Sequence, residues 1–248
     1  MFIRVLLTEC LKLKRTLALW MLLIAPMSLV LLQFAITYKR AGDLQGAGKD
    51  AWSIIVHQTI EAWTLLLMPL FVTLETSLLA GLENTEKNWK SLLALPAPRW
   101  TIYISKLAVA IGMLWAAHAV LITGTSLSGR LLRALFPVLN LGGMPLLPFL
   151  MPMLRVSVAA LLGVTIQHWV SLRWQSYTAA MGFGMCAMIF GVFASNSPQI
   201  GTWFPWSLPI HAVLHGAAGN DLITFWSLAG ATLAAIIGCW EFAKREIM

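Results

Sequence analysis

Apolar residues in this chain fall in long uninterrupted runs separated by shorter polar stretches. A helix rises 1.5 Å per residue, so about 20 apolar residues cross the ~30 Å hydrocarbon core of a bilayer. Runs of that length occupy approximately 17–38, 60–82, 100–127, 146–172, 176–195 and 222–242. The pattern predicts an all-α, polytopic membrane protein of six transmembrane helices, forming one domain over 1–248. The first run follows Arg4, Lys12, Lys14 and Arg15, and no small-residue cleavage site succeeds it, so it reads as a retained span rather than a signal peptide. The third run exceeds what a crossing needs and is expected to tilt or extend. Polar connections are expected from Lys39 to about Gln58, Glu83 to Arg99, Ser128 to Gly143 and Asn196 to Asp221.

Composition strengthens this picture. Of the 248 residues, 59% are hydrophobic and 11% charged, where a soluble domain carries about a quarter charged. Twelve tryptophans suit membrane interfaces, which favour the indole ring. The net charge of +7 would suit nucleic acid, but its placement argues for lipid. With the N-terminus inside, Arg4, Lys12, Lys14, Arg15, Lys87, Lys90, Arg99, Lys106, Arg173, Lys244 and Arg245 all fall on the inner side. Lys39, Arg40, Lys49, Arg130 and Arg133 fall outside. The excess predicts both termini in the cytosol (N-in/C-in) and accounts for the basic charge without a nucleic-acid partner.

Catalytic and metal motifs are not evident. The stretch Gly42 to Asp50 imitates a phosphate loop, but its first glycine comes one residue early and Asp50 stands where a hydroxyl is required. Cys10, Cys186 and Cys239 lack metal or disulfide spacing, and His211 with His215 has no third ligand nearby. Neither a cofactor nor a metal is expected on this chain, so its energy must come from a partner or an ion gradient.

The segment Glu83–Leu95 is more informative. As a helix it pairs Glu83 with Lys87 and Glu86 with Lys90 in the favourable Glu-first order. Trp89, Leu92, Leu93 and Pro96 gather on another face, and Pro96 and Pro98 end the helix before the next span. Such an amphipathic helix can lie at an interface or fill a partner's groove. Helical geometry alone does not choose between these. Asn196–Asp221 is too polar and proline-rich for another span. With Trp203, Phe204 and Trp206 it suits short re-entrant or interfacial helices.

The run Glu86-Lys87-x-Trp89-Lys90-x-Leu92-x3-Pro96-x2-Arg99-x3-Tyr103-x2-Lys106 resembles the loop between spans two and three of type-2 ABC exporter permeases. The likeness is greatest to the group that includes lantibiotic-immunity and bacitracin-export permeases. Glu9-Cys10-Leu11-Lys12-Leu13-Lys14-Arg15 resembles that family's N-terminal interfacial helix, here 2–15. Trp203-Phe204-Pro205-Trp206-Ser207-Leu208-Pro209 resembles its aromatic–proline hairpin before the last span. The resemblance implies a permease subunit without ATPase activity, in a bacterial cytoplasmic membrane, exporting an amphiphilic peptide, antimicrobial or lipid. It implies separate ATPase subunits that carry ATP and Mg, and a second permease chain as homodimer or heterodimer. Glu83, Glu86, Lys87, Trp89, Lys90, Leu92 and Leu93 would couple to the ATPase, and Arg99, Tyr103 and Lys106 would anchor span three. Trp203, Phe204 and Trp206 would form an outer cap, and the basic interfacial helix would rest on anionic lipid.

Arg155 and Glu75 fall well inside apolar runs, and Glu61 lies near the end of one. A charge near mid-bilayer costs about 2.5–3.5 kcal/mol on translocon scales, so each is expected to face a partner, a second protomer or a watery pathway. Depth alone allows Arg155 to pair with either acid. His118, Gln167 and His168 read as interhelical hydrogen-bonding groups. An ion-coupled transporter would instead show paired mid-membrane acids and inverted repeats, and neither is clear here. A non-transporting scaffold subunit is the remaining alternative.

Overall fold

A computed structural model describes residues 2–14, 16–42, 49–85, 98–137, 141–174, 176–214 and 220–244. The described residues are helical and turn structure throughout. In chain order the helices are α1 (Phe2–Lys12), α2 (Leu17–Lys39), α3 (Lys49–Ala62), α4 (Met68–Thr85), α5 (Arg99–Leu135), α6 (Leu146–Arg173), α7 (Tyr177–Ser195), α8 (Pro198–Gly201), α9 (Leu208–Leu214) and α10 (Asn220–Lys244). Six of these stretches are long and apolar enough to cross a membrane, with α3 and α4 acting as one.

A π-helical turn, Trp63–Leu67, joins α3 to α4. Pro69 explains it. Proline has no N–H to donate to the carbonyl four residues back, and its ring crowds that carbonyl. The helix widens one turn earlier instead, and the amide of Met68 reaches the Trp63 carbonyl.

Two connections differ from the sequence expectation. Residues 49–58, expected as part of a polar loop, extend the second span at its start. Ala51, Trp52, Ile55, Val56, Thr59 and Ile60 are buried at three- and four-residue spacing, a helical stripe that the local polarity conceals. Likewise α5 runs to Leu135 through a segment expected to connect spans. Its Leu, Arg and Ala residues favour helix, no proline interrupts before Pro137, and Leu132 is buried. The N-terminal helix is shorter than expected, ending at Lys12.

The bundle is arranged around α4, α5 and α6. Half or more of the apolar stretch is buried in α3–α4 (56%), α5 (50%) and α6 (50%), against 22% in α2, α7 and α10. The largest interfaces join α6 to α10 and α2 to α5, with α4 packed on α6 and α7 and α1 lying on α5. Close approach depends on small residues. A Cβ on Gly184 of α7 would collide with the side chain of Thr73 in α4 and lie 2.9 Å from the Gln167 amide nitrogen of α6.

Interior and exterior are inverted relative to a soluble protein. Trp20, Leu31, Leu32, Phe193, Phe225, Leu233, Ile236 and Trp240 are exposed, while Thr59, Thr64, Thr73, Thr76, Ser77, Ser157 and Gln167 are buried. In water so much exposed apolar surface would aggregate; against lipid chains it is the correct exterior. The interior hydroxyls mostly satisfy themselves by donating to the carbonyl one turn back, as in Thr59 to Ile55, Thr73 to Pro69, Thr76 to Val72 and Ser157 to Met153.

Candidate functional site

Six crossings bring both chain termini to one face of the bundle, and most of the polar cross-links collect there. α1 presents Val5 and Leu6 to the core and turns its one carboxylate, Glu9, toward α5. Glu9 is buried, and its Oε2 accepts from Lys106 Nζ at 2.6 Å, while Oε1 accepts from Lys12 at 2.7 Å. Lys106 is completely buried. An ammonium ion in that environment requires a carboxylate at contact distance.

One turn before Lys106, the ring of Tyr103 meets His168 of α6 edge-on at 4.9 Å and Phe242 of α10 at 5.9 Å. Trp169 Nε1 donates to Glu241 Oε2 at 2.8 Å, and the other Glu241 oxygen accepts from Arg173. Arg99 Nη1 donates to the carbonyl of Ala243 at 3.3 Å. Three residues expected to anchor the third span therefore bind three different elements. Arg99 meets the end of α10, Tyr103 meets α6 and α10, and Lys106 meets α1. Glu9, the partner of Lys106, and the neighbouring cluster of Trp169, Arg173 and Glu241 were not singled out as site residues in the sequence. Glu9 left one signal: it is the only acid in a basic and apolar N-terminal stretch.

The chain that would carry coupling begins at this face. Glu83 belongs to the last turn of α4. Glu86, Lys87, Trp89, Lys90, Leu92 and Leu93 lie outside the described residues, as do 43–48 of the phosphate-loop imitation and His215.

Within the bundle the three intramembrane charges separate. Thr76 and Ser77 meet Ser171, so Glu75 lies level with the end of α6 near the terminal face. Arg155 is about 24 Å from Ser171 along α6 at 1.5 Å per residue, so Arg155 and Glu75 do not pair. Glu61 is closer in depth. The Trp63 ring lies 5.9 Å from His118, whose Nδ1 is 2.8 Å from the Ser157 hydroxyl. Glu61 and Arg155, each about half a turn nearer the opposite face, thus share a level. Glu61 nevertheless bonds its own neighbour His57 at 3.2 Å. Arg155 is half-buried, with no ion-pair or hydrogen-bond partner among the described residues.

The hairpin of α8 and α9 packs against the middles of other helices instead of their ends. The Pro205 carbonyl sits 3.5 Å from where a Cβ of Gly163 in α6 would be. Trp206 contacts Phe183 of α7 at 5.7 Å and Phe204 contacts Phe190 at 4.9 Å. Trp203 packs against Trp226 of α10 at 4.9 Å with the rings tilted by 51°. Within the turn, the Ser207 hydroxyl donates to the Gly201 carbonyl at 2.7 Å, closing the loop on itself.

A lipid-compatible exterior, a polar interior and six long helices define a multi-pass membrane protein. The family model described as "ABC-2 family transporter protein" matches residues 5–194. That is more than half of the chain, and the chain belongs to this family, the membrane-spanning permease components of ABC transporters that work with ABC ATPase subunits. No curated protein and no solved structure matches it.

Proposed function

We propose that the chain is the permease of an ATP-driven exporter in a bacterial cytoplasmic membrane, with its terminal face in the cytosol. It pairs with a second permease chain and with separate ATPase subunits, which bind ATP and Mg. The observation that carries this reading is the family match over residues 5–194, on a bundle whose polar cross-links gather at the face where α4 ends and α5 begins.

The mechanism follows from what that segment joins. It links α4 directly to α5, so movement of an ATPase groove holding Glu86, Lys87, Trp89 and Lys90 pushes on both central helices. α5 is tied through Lys106 to the surface helix α1, and through Tyr103 and Arg99 to α6 and α10. The terminal ends of four helices then move as a unit, which is how a bistable bundle converts a local displacement into rocking. The π-helical turn interrupts α3–α4 at mid-bundle and supplies a point of bending. On the far side, Trp203, Phe204 and Trp206 close the path as a re-entrant cap. Arg155 faces a second protomer or the path of the cargo, which is an amphiphile: a peptide antibiotic of the lantibiotic or bacitracin kind, another antimicrobial, or a lipid.

The test uses the permease co-expressed with its ATPase. Trp89→Ala is expected to weaken ATPase binding about 30-fold, the loss of a buried aromatic anchor worth roughly 2 kcal/mol. Glu86→Ala should lower coupled, vanadate-sensitive ATP hydrolysis while membrane insertion is unchanged. Wild-type co-purification and ATPase rates in both variants would remove the coupling assignment.

A further inference from the structure

The face opposite the termini holds a cavity of about 400 Å³ lined by Trp52, Ser126, Gly129, Arg130, Arg133, Gly142, Gly143, Met144 and Leu146. That volume suits a small organic ligand. Its floor is fixed. The Trp52 indole nitrogen donates to the Gly142 carbonyl at 3.1 Å, bridging α3 to the 141–145 segment, and the six-membered ring lies against Gly129, where any side chain would collide with it.

Among the described residues that line this cavity, the charged ones are Arg130 and Arg133. Arg130 and Arg133 stand one turn apart at the end of α5, both exposed. The T-shaped contact of Tyr38 with Phe136, at 5.2 Å, brings the end of α2 alongside, and α2 finishes with exposed Lys39 and Arg40. Among residues with described side chains, the nearest acid on α3 is Glu61, about 14 Å along the helix from Trp52 and already bonded to His57. The opposite wall is apolar: Met144 and Leu146 lead from the cavity to the exposed Leu146 and Leu147 surface at the start of α6.

Depth identifies what approaches. α5 spans about 55 Å, against about 30 Å of hydrocarbon, so its last turns project into the headgroup layer. We infer that this cavity binds the phosphate headgroup of an anionic amphiphile, with Arg130 and Arg133 on the phosphate and the acyl portion leaving past Met144 and Leu146. Guanidinium pairs are matched to phosphate by their forked donors. Binding requires neither nucleotide nor an ATPase subunit, so it stands apart from the transport reading.

Native mass spectrometry of the full chain, released from nanodiscs containing equal phosphatidylglycerol and phosphatidylcholine, tests it. The wild type is expected to retain phosphatidylglycerol preferentially, and R130Q/R133Q to lose about 30-fold of that preference. Arg130→Lys with Arg133→Lys, which keeps the charge, should retain an intermediate preference. Lys244→Gln, on the terminal face, should leave it unchanged. Gly129→Val, which displaces Trp52 without altering charge, should also reduce it. An undiminished preference in R130Q/R133Q, at a thermal midpoint equal to wild type, would overturn the site. Displacement of the lipid by millimolar inorganic phosphate would assign the cavity to the free anion and overturn the amphiphile.

Discussion

Replacing Glu9 by Ala is expected to lower stability by about 3 kcal/mol, within the range for breaking a buried ion pair by removing one partner. For a chain of this size that corresponds to roughly 6–12 °C in the unfolding midpoint. The cause is the partner left behind. Lys106 is wholly buried, and the substitution takes the Glu9 carboxylate from its ammonium. Lys106→Met should cost less, about 2 kcal/mol, because Lys12 continues to hold Glu9 and is itself partly exposed. The double variant Glu9→Ala/Lys106→Met removes both charges of the pair and should recover most of the loss. Thermal unfolding of the four proteins in one detergent closes the cycle. A coupling energy below about 0.5 kcal/mol, the scatter of independent sites, would mean that the pair is not a unit. The cycle also bears on function, since a variant that is stable yet uncoupled would show α1 to be part of the transmission from the ATPase.

Trp63→Ala should cost about 3–5 kcal/mol by the cavity it opens. The indole is entirely buried at the start of the π-helical turn, with Phe71 at 6.2 Å and His118 at 5.9 Å. In a membrane this loss is not hydrophobic transfer, because lipid tails are as apolar as the core. It is the loss of dispersion contacts around a void that the neighbours cannot fill. Trp63→Phe should therefore retain much of the stability. Trp115→Leu makes the contrast. That residue is half exposed on the outside of α5, and lipid replaces whatever contacts it loses. Similar midpoint falls for Trp63→Ala and Trp115→Leu would refute the packed-core account.

The spans were legible because their signal is local. A bilayer demands about 20 consecutive apolar residues and internal satisfaction of every backbone group, so length and composition suffice. The start of the second span was hidden, because Lys49, Asp50, His57 and Gln58 dilute a stripe that only a neighbouring helix reveals as buried. Arg99, Tyr103 and Lys106 were visible through a family-like run, but nothing in their spacing indicates that together they would tie α5 to α1, α6 and α10. The partnership of Glu9 with Lys106 joins residues at opposite ends of two crossings, and local periodicity carries no information about such pairs.

Read alone, the sequence specifies a helical membrane protein with six stretches long and apolar enough to cross. How its charges sort depends on the packing of the bundle. Glu75 belongs to one end of the bundle and Arg155 to another level, Glu9 reaches Lys106, and Arg130 and Arg133 share a cavity with Trp52. The physical reason is one of range. The hydrophobic requirement acts residue by residue along a helix. The stability of a buried charge depends on a partner within about 4 Å, and the packing of helices distant in sequence sets that distance.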